Sequence, residues 1–103
     1  VDKEVFKLDN KILKIKNFYE LGYFDSVYSE LDNLNHLLNS SEKLNQGMLN
    51  KSKNYSKSVR QLTKIKTGSA LNKVDHSQFM KKLENEKIIS EKNWLINKLS
   101  ELI

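Results

Sequence analysis

Four cations recur at helical spacing in one segment. Lys53, Lys57, Arg60 and Lys64 follow at steps of four, three and four. At 100° per residue they share a stripe roughly 180° from Tyr55, Val59 and Leu62. A helix buried on one side and basic on the other suits phosphates or an acidic partner. The charge is local: residues 42–74 hold eight basic groups against one acidic, a formal +7. Residues 1–41 come to −2 and residues 75–103 to zero, within a chain total of +5. The stripe has a single Arg and no interleaved aromatics, so it lacks a platform for stacking bases. A nucleic-acid-binding accessory module is therefore the alternative expectation, beside the plainer one of a solvated lysine face.

Other chemistry-bearing residues form less complete sets. His36 stands four after Asp32, a spacing that brings an imidazole beside a carboxylate on one helix face, but no third ligand joins them. His76 sits at the start of a helix, where the dipole disfavours positive charge. Glu84, Glu86 and Glu91 alternate with Lys82, Lys87 and Lys92 as a solvated face does, not as two acids converging in a pocket. The absence of cysteine removes disulfides, thiolate zinc sites and thiol nucleophiles. No serine-hydrolase elbow, Walker loop or His-Glu-x-x-His is present. The expectation is a chain with no catalytic site, cofactor or metal.

The elements that position these residues follow from apolar spacing. With 103 residues, no Pro and three Gly, the chain is about one domain of all-α type. Apolar content of 38% predicts a thin core. Val5, Leu8, Ile12, Ile15 and Tyr19 make one stripe of a first helix, with Asp2 as N-cap and Gly22 as C′ residue. Asp25 is placed to cap a second helix with the stripe Val27, Leu31, Leu34 and Leu38, giving an antiparallel hairpin over 3–38. Asn39 and Glu42 have capping-box spacing before a third helix, 42–66, marked by Met48, Tyr55, Val59 and Leu62. Thr67-Gly68-Ser69 opens a flexible connection, 67–74. Asp75-His76-Ser77-Gln78 then caps a last helix, 76–103, about 42 Å long at 1.5 Å per residue.

That last helix changes face. Phe79, Leu83 and Trp94 share one side; Ile88, Leu95, Leu99 and Leu102 share another, rotated by roughly 120°. Either it bends near 85–89 or it packs on two surfaces. Four helices in one domain are expected, as an open solenoid-like stack or a small bundle. The longest apolar run is Trp94-Leu95-Ile96, too short for a membrane span. With no export signal and no cysteine, a cytoplasmic setting is expected. The opening Val1 suggests a fragment or a processed chain.

Ile15 and Phe18 precede Gly22, and Phe24, Val27, Leu31, Leu34 and Leu37 follow it. Residues 12–38 thus resemble a tetratricopeptide (TPR) helix hairpin, in which a glycine ends the first helix and an aromatic fills the turn. Three runs, Phe18 to Asp25, Leu31 to Leu38 and Glu91 to Leu99, extend the likeness over most of 5–103. They are similar to the C-terminal helical region of uncharacterised bacterial TPR-type proteins. The resemblance implies an α-solenoid end piece, implies no catalysis and transfers no functional residue.

Helical-hairpin stacks bind peptides or partner helices on the first helix of each hairpin. The leading expectation is accordingly a non-catalytic protein-interaction or scaffold module. Its groove residues are those of the first helix facing away from the second: Lys7, Lys11, Lys14 and Asn17. Trp94, Leu95, Leu99 and Leu102 form a short coiled-coil-like seam beyond the reach of the hairpin. They are expected either to close the intrachain core or to meet a neighbouring repeat or a second copy.

Overall fold

The computed structural model describes residues 3–68 and 73–102, the side chains of Glu4 and of residues 73–75 excepted. Asp2 as a cap, residues 69–72 of the connection and the Asp75 side chain therefore lie outside the described residues. Five α-helices and no strand occur among those described: α1 (Lys3–Leu21), α2 (Phe24–Ser40), α3 (Gln46–Lys66), α4 (Lys73–Asn85) and α5 (Lys92–Leu102). They divide between two compact units, Val1–Leu49 and Asn50–Ile103.

In the first unit the expected stripes are the buried ones, except that Val5 is half-buried. Leu8, Ile12, Ile15 and Tyr19 of α1, and Val27, Leu31, Leu34 and Leu38 of α2, are all buried. The connection is two residues long because Gly22 turns the chain at φ +79°. The Gly22 amide donates to the Tyr19 carbonyl (3.1 Å) and the Tyr23 amide to the Phe18 carbonyl (2.9 Å), the two bonds of a Schellman motif. Its usual apolar contact is aromatic: the Phe18 and Tyr23 rings lie 6.3 Å apart, and Tyr19 meets Phe24 edge-on at 5.7 Å. The second helix starts earlier than expected. Tyr23 is its N-cap, without a side-chain bond, and Asp25 lies in the first turn, where its charge favours the dipole.

The capping box at Asn39 and Glu42 does not form. Asn39 belongs to the last turn of α2, which runs on to Ser40; the Ser40 hydroxyl donates to the His36 carbonyl at 2.8 Å. Instead Asn45 caps α3, its Oδ1 accepting the Met48 amide at 2.9 Å. Helix α3 ends where Gly68 adopts φ +82° and its amide bonds the Ile65 carbonyl at 3.1 Å. The backbone is helical again from Lys73, so Asp75 stands inside the first turn of α4 and not ahead of it.

The single long helix expected over 76–103 is two helices, α4 and α5, separated by residues 86–91. The change of apolar face is the reason. Leu83 and Leu95 are both buried, yet in a continuous helix they would sit about 120° apart. The break resets the phase, and its freed polar groups find partners. Glu86 Oε1 accepts the Ile88 amide (3.1 Å), and Lys92 Nζ donates to the Glu84 carbonyl (2.8 Å). From α3, Asn54 Nδ2 donates to the Ile88 carbonyl (2.8 Å), and the Lys51 carbonyl accepts the Ser90 amide (3.3 Å).

Glu91 closes this loop at φ +58°, in the left-handed region that disfavours residues with a Cβ. Its carbonyl accepts the Leu95 amide at 3.0 Å, which opens α5. Glu91→Gly should therefore be more stable than Glu91→Ala by about 1 kcal/mol, because both lose the carboxylate and only glycine relieves the backbone. Paired chemical melts measure that difference; equal midpoints would show that the left-handed conformation carries no cost.

Candidate interaction surfaces

In the first unit α1 presents two unlike faces. One is buried as described. The other, about 130–150° around the helix, carries Phe6, Leu13 and Leu21, which remain 60%, 54% and 61% exposed. Asn10 and Asn17 lie between them, and Asp9 and Glu20 lie along the edge beside Leu13, all exposed. Tyr23, in the adjoining turn, is 56% exposed. Lys3, Lys7 and Lys14 run along one flank of this face at steps of four and seven, all exposed.

Among the groove residues expected from the sequence, Lys7 and Asn17 are exposed on or beside this outer face. Lys11 and Lys14 also reach towards α2, Lys11 half-buried and Lys14 still exposed. Lys14 Nζ lies 3.4 Å from Glu30 Oε1 and Lys11 Nζ 3.8 Å from Glu30 Oε2. Lys14 also stands 5.8 Å above the Phe18 ring, a cation–π contact. Glu30 thus ties two turns of α1 to α2. Its Oε2 is buried and accepts no hydrogen bond, so Lys11 meets it through charge alone.

In the second unit the expected seam is largely consumed. Leu95 and Leu99 have no exposed surface, while Trp94 and Leu102 are half-buried. Leu95 and Leu99 are core side chains of this unit.

The basic stripe of α3 lies as its spacing requires. Lys53, Lys57 and Lys64 are exposed and Arg60 is half-buried. Tyr55, Val59 and Leu62, on the other side, are fully buried. Ser52, Ser56 and Thr63 are buried with them; Thr63 Oγ1 satisfies itself on the Val59 carbonyl at 2.7 Å. Burial, and after it the negative charge of Glu91, pushes the Tyr55 phenol far above its ordinary value of 10.0. Beside the stripe, Asn54, Lys57 and Ser58 of α3 face Lys82 and Leu83 of α4 across a hollow of about 30 Å³, closed by Glu86 and Ile89. That volume admits water, not a metabolite.

His36 and Asp32 are both exposed, and no group of three or more His, Asp or Glu side chains converges among the described residues. The Glu84 backbone carbonyl and the Glu86 carboxylate serve the end of α4 by the bonds given above. No described helix is long and apolar enough to cross a membrane.

Phe6, Leu13 and Glu30 were not singled out by sequence reasoning, and Lys82 was read only as part of a solvated face. Phe6 and Leu13 carry a usable signal: seven residues apart, they form a second apolar stripe off the main one. No family model, curated protein or solved structure matches the chain.

Proposed function

We propose that the hairpin of α1 and α2 is a non-catalytic, TPR-like protein-interaction module, and that its docking face is the outer side of α1. The observation that carries this is the exposure of Phe6 and Leu13 on the side of α1 turned away from its own buried stripe. Large apolar groups held in line on a rigid helix are anchors for a partner's apolar groups. Asn10 lies among them without adding charge. Lys3, Lys7 and Lys14 on one flank favour a partner segment that sets acidic side chains along that edge of an apolar stripe, while Asp9 and Glu20 line the other edge. The occupant is thus an amphipathic helix or peptide of another protein, acidic along the edge that meets the lysines.

Site-specific photocrosslinking in cells tests it. A benzophenone side chain at Leu13 should give a discrete adduct that disappears when Phe6→Asp is added. The same probe at Asp32, exposed on α2, should not give that adduct. Identical adducts from both positions, or none from Leu13, would overturn the proposal. So would turnover by the purified chain abolished by changing its carboxylates.

A further inference from the structure

The charge of the chain is divided along its two units. Residues 1–49 hold six Lys and Arg against eight Asp and Glu, a formal −2. Residues 50–103 hold twelve against five, a formal +7. An excess of that size on some fifty residues produces a positive field that draws polyanions. The field has a focus. Lys53, Lys57 and Lys64 line the exposed face of α3, and Lys82 of α4 meets Lys57 across the 30 Å³ hollow, where the Ser58 hydroxyl and the Asn54 amide also lie. Glu86 is the carboxylate at this rim, and its Oε1 is engaged by the Ile88 amide.

We propose that Lys53, Lys57, Lys64 and Lys82 form a contact surface for the phosphodiester backbone of duplex nucleic acid, with no readout of base sequence. This does not depend on the role given to α1. Lys53 and Lys64 are eleven residues apart, about 16 Å along the helix. At 3.4 Å of axis per charge, one duplex strand presents about five phosphates over that length. The hollow is the size of a water or one phosphate oxygen and excludes a base. Tyr55 and Phe79, on the two helices concerned, are buried, so unpaired bases have nothing there to stack on and a duplex is preferred to a single strand. The apolar side of α3 is likewise buried, leaving the helix nothing to insert into a bilayer.

The test is fluorescence anisotropy of the full chain with a 20-base-pair DNA duplex. Four phosphate contacts predict that the association constant falls about 150-fold between 50 and 200 mM NaCl, a log–log slope near −3.6. Changing all four lysines to Gln should abolish that binding, and each single change should make the slope shallower by about 0.9. Circular dichroism melts establish that the variants remain folded. Lys43 and Lys87, exposed and outside the row, provide a control: their double change to Gln should leave the slope unaltered. The proposal is overturned if the control weakens binding as much as the fourfold variant. It is equally overturned if a single strand binds more tightly than the duplex, or if the chain binds phosphatidylserine vesicles and not DNA.

Discussion

Tyr55→Ala is expected to remove about 3–5 kcal/mol of stability, the cost of deleting a fully buried aromatic ring. Tyr55 has no exposed surface and stands among the largest buried side chains of the chain. Against the usual 5–15 kcal/mol of a small protein, such a loss leaves the second unit close to unfolded at room temperature. Urea melts followed by circular dichroism measure it; a loss under 1 kcal/mol would mean that α3 is not held by this ring. The phenol adds a pH dependence whose sign is fixed. Its raised value means that the folded chain keeps the proton when the unfolded chain releases it near 10.0. The stabilisation is complete below that pH. It declines as pH rises further, by at most about 1.4 kcal/mol per pH unit. Tyr55→Phe should flatten this alkaline decline, and an unchanged slope would contradict the burial of the hydroxyl.

Leu31→Ala is expected to cost about 2–5 kcal/mol, and Leu13→Ala within about 0.5 kcal/mol of nothing, although both delete the same atoms from neighbouring helices. Leu31 has no exposed surface, and Leu13 has more than half of its own. The contrast separates the two roles assigned to apolar residues in the hairpin: one closes the core and the other is left for a partner. Equal losses, read as shifts of the urea midpoint, would mean that Leu13 is packed in solution and that the outer face of α1 does not exist as described.

The hairpin was legible in the sequence because its signals are local. Gly22 and its aromatic neighbours lie within one turn, and the stripes of α1 and α2 keep helical period throughout. The break at 86–91 was only half legible. The shift of apolar face was visible, but neither Gly nor Pro marks the site, and the bonds that make the loop affordable come from Asn54 and Lys51 on another helix. Ser52, Ser56 and Thr63 read as surface residues by type, and only tertiary structure buries them. Lys11 borders the packed face of α1 and Lys14 its outer flank, and the reach of both side chains is decided by Glu30 across the hairpin. The lysine row of α3 was fully legible; its continuation to Lys82 was not, because it requires α4 to lie alongside.

Hydroxyl-radical footprinting of the folded chain, quantified residue by residue, goes straight to the division of apolar side chains into a closed core and one uncovered helix face. Phe6, Leu13 and Tyr23 should oxidise rapidly, while Leu31, Tyr55, Phe79 and Leu99 stay protected until the chain unfolds. Protection of Phe6 and Leu13 equal to that of Leu31, or oxidation of Tyr55 as fast as that of Tyr23, would contradict it.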